Sequence, residues 1–112
     1  MATGFHDEIP QGTLDMLILR TLARGGDLHG FEIAEAIQQL SENILRVEEG
    51  SLYPALQRML LKAWISGEWR KTAENRRARY YRLTPAGRKQ LERELARYRR
   101  VSEAIGRVLE PA

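Results

Sequence analysis

A heptad pattern near the C-terminus constrains the fold more than any other feature of the sequence. From Leu91 onwards, positions at alternating spacings of four and three are apolar except for Ser102, and Val101 and Val108 widen the stripe. This is the periodicity of a helix that packs along one side. Thr84 followed by Pro85 is typical of an N-cap and a first helical residue, so the helix is expected to begin there. A helix of roughly 25 residues would be about 37 Å long. A chain of 112 residues is too small to cover such a stripe by itself.

The uncovered part of this stripe is expected to pair with a second copy of the chain in a two-fold dimer. The alternative is a helix that folds back over its own core. The residues predicted to form the dimer seam are Leu91, Leu95, Tyr98, Val101, Ile105, Val108 and Leu109.

Charge is distributed unevenly along the chain. Residues 1–69 hold five basic and ten acidic side chains, whereas residues 70–82 hold six basic and one acidic, within a net charge of +3. A short basic segment that follows an acidic region indicates a local patch for a polyanion. A solvated charged loop is the alternative interpretation.

The basic segment falls in a predicted β-hairpin. Residues 64–71 and 78–83 are rich in strand-forming residues, and the polar stretch between them contains the turn-forming Asn75. Arginine and lysine at such a position can neutralise phosphates, and arginine can also enter a narrow minor groove. The candidate DNA-binding residues of the hairpin are Lys71, Arg76, Arg77 and Arg79.

Two amphipathic helices are predicted in the N-terminal half, over residues 11–24 and 29–40. Glycines at 25–26 end the first, as glycines often do. Residues 41–48 form a connector that can include a brief strand. His29, at the start of the second helix, is expected to be a capping or buried residue rather than a ligand.

The segment EGSLYPALQRML at 49–60 combines helically spaced apolar residues with a glycine and a proline. A helix that starts near Gly50 or Ser51 would place Pro54 in its first turn, where a backbone N–H has no intrahelical partner. The helix is expected to continue to about Trp64. Its polar face supplies the candidate recognition residues Ser51, Tyr53, Pro54, Gln57, Arg58 and Lys62.

Three helices, a hairpin and a long helix follow the order of the winged helix-turn-helix fold, which is mainly α with a small β-hairpin. In that fold the third helix enters the major groove of DNA, and the hairpin, or wing, reaches the neighbouring backbone. We therefore expect residues 1–83 to form a DNA-binding domain and residues 84–112 a dimerisation helix, together one structural unit. A dimer would present two reading surfaces to an inverted-repeat site in double-stranded DNA.

Three segments resemble the PadR family of bacterial transcriptional regulators. LHGFEIAEAI at 28–37 is similar to its HGYEI segment, EGSLYPALQRMLLKAWI at 49–65 to its recognition helix, and RRARYYRLTPAGRKQL at 76–91 to its second wing strand and following helix. The single C-terminal helix resembles the shorter subgroup. The resemblance implies a homodimeric repressor whose C-terminal helices pack against the partner's N-terminal helices. It also implies a dimer geometry that responds to a small planar or phenolic effector.

Individual positions follow the family pattern unevenly. Tyr53 occupies the position of a family tyrosine that usually contacts the DNA backbone, and Ser51 stands where threonine is commoner. Between Met59 and Trp64 the family usually has an acidic pair and a glycine, which this chain lacks. The C-terminal helix also lacks the tryptophans between which some members bind flat drugs.

Several other classes are disfavoured by composition. The chain has no cysteine, which excludes disulfides and sulfur-ligated zinc, and no apolar run long enough to span a bilayer. The N-terminal segment MATGFHDEIPQ lacks a secretory signal, so a cytoplasmic, nucleoid-associated protein is expected. No catalytic residue, metal site or cofactor is predicted. The alternatives to a specific regulator are a nucleic-acid binder without sequence preference, including one for double-stranded RNA, and a helical protein–protein adaptor.

Overall fold

The computed structural model describes residues 8–10 and 12–111. The described elements are α1 (Leu14–Gly25), β1 (Leu28–His29), α2 (Gly30–Leu40), α3 (Glu49–Leu61), β2 (Ile65–Lys71), β3 (Arg77–Leu83) and α4 (Pro85–Leu109). This order confirms the prediction of three helices, a hairpin and a long final helix. Gln11, where the first helix was predicted to begin, and most of the segment MATGFHDEIPQ lie outside the described residues.

The hairpin of β2 and β3 belongs to a three-stranded antiparallel sheet of order β1-β3-β2. Strand β1 was not predicted, because two residues are too few to show an alternating pattern. It pairs Leu28 with Tyr81 and His29 with Tyr80. The brief strand allowed for in residues 41–48 is reduced to a single β-bridge residue, Leu45. That segment turns through Glu42 and Asn43, which have positive φ angles of 55° and 66°.

A single hydrophobic core lies between the first three helices, the sheet and the beginning of α4. The apolar arcs predicted for the helices face this core, as expected from their 3.6-residue period. The largest fully buried side chains are Ile18, Leu19, Ile33, Leu52, Leu56, Met59 and Ile65.

Helix α3 starts earlier and ends earlier than predicted. Glu48 is its N-cap and Glu49 its first residue, so Pro54 lies in the second turn and not in the first. Proline there lacks the N–H that would bond to the carbonyl of Gly50. The cost is tolerable because Gly50 is exposed, and water can reach its carbonyl. The helix ends at Leu61 rather than near Trp64, because Ala63 adopts a φ of 60°.

The beginning of α4 agrees with its prediction. The Thr84 hydroxyl oxygen accepts a hydrogen bond from the Gly87 N–H at 3.0 Å, and Pro85 is the first helical residue. The same hydroxyl donates to the Ala63 carbonyl at 2.6 Å. A Cβ on Gly87 would lie 1.9 Å from the Trp64 carbonyl oxygen, so α4 begins in direct contact with the turn that follows α3. Neither α4 nor any other described helix combines the length and apolarity needed to cross a membrane.

Candidate nucleic-acid interface

Helix α3 has one buried face and one exposed face. Leu52, Ala55, Leu56 and Met59 are buried in the core. The predicted recognition residues are all exposed: Ser51, Tyr53, Pro54, Gln57 and Arg58 on the helix, and Lys62 at its C-cap. The exposed face therefore offers hydroxyl, amide and cationic groups to a ligand outside the fold.

Tyr53 is held across the beginning of α2. Its side chain is 47% exposed, and a Cβ on Gly30 would lie 2.7 Å from the Tyr53 hydroxyl oxygen. The beginning of α2 is itself fixed by a capping box, in which His29 Nδ1 accepts from the Glu32 N–H at 3.4 Å and Glu32 Oε1 accepts from the His29 N–H at 3.1 Å. The prediction that His29 caps the helix is therefore confirmed. Gly30 makes room for the tyrosine ring.

Two predicted recognition residues contact neighbouring groups of their own chain. Arg58 Nη2 lies 3.0 Å from Asp15 Oδ1, which ties the end of α3 to α1. Lys62 Nζ lies 4.7 Å from the centre of the Trp64 ring. Both cations remain exposed, but part of the charge of Arg58 is balanced by a carboxylate.

The wing has two faces that differ in chemistry. Directly opposed residues of antiparallel strands have side chains on the same side, and the register pairs Trp69 with Arg79 and Lys71 with Arg77. We call the side formed by Gly67, Trp69, Lys71, Arg77 and Arg79 the tryptophan face. The other side, formed by Glu68, Arg70, Tyr80 and Arg82 together with Asp27 from the α1–β1 loop, is the aspartate face.

On the aspartate face, two cations share the carboxylate of Asp27. Arg82 donates through Nε and Nη2 to the two carboxylate oxygens, each at 2.8 Å, and Arg70 Nη2 donates at 2.5 Å. Hydrogen bonds from Arg82 and then Arg70 hold the pKa of Asp27 far below its usual range. Sequence reasoning missed this carboxylate because it lies 55 residues from Arg82 and 43 residues from Arg70.

On the tryptophan face, cations surround an aromatic ring. Trp69 is 55% exposed, and the guanidinium carbons of Arg77 and Arg79 lie 5.0 and 5.9 Å from its ring centre. Three of the predicted wing cations, Lys71, Arg76 and Arg77, are exposed. Arg79 is half-buried, and its Nε has no hydrogen-bond partner among the described residues.

The predicted dimer seam is divided by the structure. Leu91 is 4% exposed and belongs to the core of its own chain, and Leu95 is half-buried against that core. The assignment of Leu91 to a dimer surface therefore needs correction, because almost none of its side chain is left to meet a partner. The exposed part of the seam consists of Tyr98, Val101, Ile105, Val108 and Leu109.

Three helices around a core, a three-stranded sheet that ends in a wing, and a long final helix together define a winged helix-turn-helix protein. Residues 18–93 match the transcriptional regulator PadR-like family. The chain belongs to this family. Its members are transcriptional regulators and not enzymes, in agreement with the sequence-based prediction.

Two curated relatives illustrate the range of lengths in which such a chain occurs. An uncharacterized 37.1 kDa protein in a transposon of Streptomyces fradiae is 45% identical over 97 residues, which cover 87% of this chain and 25% of that protein. A transcriptional regulator of Mycobacterium tuberculosis is 36% identical over 85 residues, which cover 76% of this chain and 72% of the relative. The chain thus spans only a quarter of the length of the first relative.

Solved structures share the fold. A transcriptional regulator from Clostridium thermocellum superposes with a TM-score of 0.80 at 26% identity, covering 88% of this chain and 95% of that chain. The structure of Bacillus subtilis PadR in complex with operator DNA has a TM-score of 0.65 at 23% identity, covering 74% of this chain and 47% of that chain. The second similarity is one of fold.

Proposed function

We propose that this protein is a homodimeric transcriptional repressor that binds an inverted-repeat operator in double-stranded DNA. The observation that carries the proposal is the exposed polar face of α3, on which Ser51, Tyr53 and Gln57 stand opposite a buried apolar face. A helix with free hydrogen-bonding groups on one side is the element that winged-helix proteins place in the major groove. The operator complex of Bacillus subtilis PadR supports the same use of the fold.

Dimerisation would come from the last helix. Residues 1–83 would serve as the DNA-binding part and residues 84–112 as the dimerisation part of one structural unit. The exposed stripe from Tyr98 to Leu109 is apolar, and such a surface is stabilised by a partner that removes it from water. A second copy offers the same stripe, so a two-fold pair buries both. Such a pair would present its two α3 helices to half-sites about 34 Å apart.

An effector would act between the dimer seam and α3. An open cleft of about 440 Å³ is lined by Leu14, Met16, Tyr98 and Val101, and the Asp15–Arg58 ion pair lies on its wall. This volume suits a small aromatic molecule. A ligand bound there would touch α3 through Arg58 and the seam through Tyr98, so it could change the separation of the two α3 helices.

The proposal is tested by footprinting the purified protein on the intergenic DNA beside its own gene. We expect protection of an inverted repeat, and no protection of a shuffled duplex of the same composition. Equal binding to both duplexes would identify a nucleic-acid binder without sequence preference. No binding at low salt would favour the adaptor alternative. Deletion of the gene should raise transcription from the protected promoter. If transcription falls instead, the protein is an activator and not a repressor.

A matched pair of glutamines tests the recognition helix. Gln57→Ala removes an exposed amide from α3 and should cost about 1–3 kcal/mol of operator affinity while leaving the dimer intact. Gln39→Ala removes an exposed amide from the end of α2 and should leave affinity unchanged. Equal affinities of the two variants in a titration monitored by fluorescence anisotropy would show that α3 does not read this operator.

A further inference from the structure

We propose that the tryptophan face of the wing is the side that contacts DNA, with Trp69 as a binding residue between Arg77 and Arg79. The inference rests on the proposed function and adds to it the side of the wing and an aromatic residue. The occupant is the sugar–phosphate backbone of duplex DNA.

Charge separates the two faces of the wing. The described strand residues of the tryptophan face include no carboxylate, and they carry Lys71, Arg77 and Arg79. On the aspartate face, Arg70 and Arg82 are already paired with Asp27, and Arg70 also contacts Glu68 at 3.0 Å. A phosphate gains less from a cation that a carboxylate already neutralises. The polyanion is therefore attracted to the tryptophan face.

Trp69 organises the cations of that face. Two guanidinium groups lie within 6 Å of its ring centre, the range in which a cation is attracted to an aromatic ring. Both cations are thereby held beside an aromatic surface that is more than half exposed. Deoxyribose presents C–H groups between successive phosphates, so an indole flanked by arginines matches the alternation of the backbone.

The tryptophan face and α3 lie on the same side of the molecule. Ile65 and Tyr81 continue this face at the base of the wing and pack in the core with Met59 of α3. Burial raises the pKa of the Tyr81 hydroxyl. The charge of Arg79 lowers this pKa, and Tyr53 raises it. Tyr81 lies two residues from Arg79 on the same face of β3, opposite Gly67, whose added Cβ would meet the Arg79 side chain. A duplex that contacts α3 would meet the tryptophan face rather than the aspartate face.

Gly67 leaves the space in which Arg79 lies. A Cβ on Gly67 would be 2.6 Å from Arg79 Nε, and this Nε is buried without a hydrogen-bond partner among the described residues. The Arg79 guanidinium therefore lies against the backbone of β2 at Gly67. It is next to the indole of Trp69, two residues further along β2 on the same face. Gly67 is a positioning residue for Arg79.

The first experiment tests Trp69 of β2 and compares two cations, Arg77 and Arg82, on opposite faces of β3. Trp69→Ala and Arg77→Gln should each weaken binding to the footprinted duplex about 10-fold or more, whereas Arg82→Gln should weaken it less than about 3-fold. Far-UV circular dichroism controls for folding. If the wild-type protein binds no duplex, the proposed function fails. If the wild-type protein binds and Trp69→Ala binds equally well, this inference alone is overturned.

The second experiment uses the fluorescence of the two tryptophans, Trp64 and Trp69. In Trp64→Phe, Trp69 is the only tryptophan left, so its emission is isolated by excitation at a wavelength that tyrosine does not absorb, and the duplex should protect it from acrylamide quenching. In Trp69→Phe, the half-buried Trp64 should show no such change. Unchanged quenching of Trp69 in the saturated complex would overturn the inference. If Trp64→Phe fails to fold, the difference between wild type and Trp69→Phe gives the same information.

The third experiment moves Arg79 without changing any charge. Gly67→Ala should displace the guanidinium and weaken duplex binding about 3–10-fold, while Ser66→Ala, on the aspartate face, should leave binding unchanged. Equal affinities of the two alanine variants would show that Arg79 does not contact the DNA.

Discussion

The two halves of α4 have the same apolar periodicity but different surroundings. In the first half, Leu91 is 4% exposed and packs in the core of its own chain. In the second half, Ile105 is 53% and Val108 82% exposed. A heptad pattern therefore identifies the apolar side of a helix without identifying what covers it. One repeat of the pattern contributes to folding, and the next is available for association.

The difference arises from where the core ends. The first half of α4 passes over α1 and starts against the Ala63 and Trp64 carbonyl groups through Thr84. The second half extends beyond the core, in a molecule that measures 57 Å in its longest dimension and 22 Å in its shortest. Substitutions in the first half of the stripe should accordingly lower the stability of the protomer, and substitutions in the second half should weaken dimerisation.

Gly87→Ala should have the largest effect. The new methyl group would meet the Trp64 carbonyl oxygen at 1.9 Å, and no side-chain rotation can relieve a clash with backbone. We expect a loss of about 4 kcal/mol in the free energy of unfolding, measured by urea denaturation. The control is Gly106→Ala, in the second half of α4, where an added Cβ has open space. Similar stabilities of the two variants would contradict the close contact at the beginning of α4.

Leu91→Ala should remove about 3 kcal/mol from the free energy of unfolding, because it leaves a cavity in the core of the protomer. This loss should be the same at every protein concentration. Ile105→Ala, the matched truncation in the exposed half, should lower stability only through the concentration-dependent step of dimerisation. If the stability losses of Leu91→Ala and Ile105→Ala depend on protein concentration in the same way, Leu91 belongs to the dimer surface.

Val101→Asp combined with Ile105→Asp should weaken self-association about 100-fold, equivalent to roughly 2.7 kcal/mol, while the protomer keeps its fold. The dimer could form through the seam only by burying the two new carboxylates of each protomer, which is costly for unpaired charges. Sedimentation velocity over a concentration series measures the effect. Arg99→Asp with Arg107→Asp, on the opposite side of the same half, is the control. A double seam variant that sediments as the wild type would disprove association through this stripe.

Thr84→Ala should have the smallest effect, about 1 kcal/mol of folding stability, because it removes an N-cap hydrogen bond and the bond to the Ala63 carbonyl. Thr13→Ala provides the contrast, since Thr13 is the N-cap of α1 but makes no side-chain capping bond, and the variant removes only the hydrogen bond from its hydroxyl to the Pro10 carbonyl. The thermal midpoints of the two variants can be compared directly. A larger loss for Thr13→Ala would mean that the anchoring of α4 contributes little.

Short sequence patterns such as caps and periodic apolar residues predicted the helices and the hairpin, but they predicted the boundaries of these elements less well. Thr84 and Pro85 located the beginning of α4 correctly, since capping depends on adjacent residues. The segment around Pro54 was placed one turn too early in its helix because proline is tolerated in more than one exposed position near a helix start. The end of α3 was missed because Ala63 adopts a positive φ that its residue type does not suggest.

Much of the candidate interface could be predicted as a set of residues but not as an arrangement. The exposed face of α3 follows from the 3.6-residue period alone. The basic hairpin was also evident, and its candidate residues included Arg77 and left out Arg82. Its charges alone, however, gave no physical reason to separate Arg77, beside Trp69, from Arg82, which is paired with Asp27. That distinction depends on a carboxylate brought in from a distant loop.

The amino-acid sequence by itself determined the order of elements, the apolar side of every helix, the cap of α4 and the basic character of the wing. These features depend on neighbouring residues and on short periodicities. Tertiary structure alone decided which part of the α4 stripe is covered, which wing cations are neutralised, and that Leu28 and His29 add a third strand to the sheet. Each of these depends on contacts between residues far apart in the chain, and such contacts exist only once the elements have packed together.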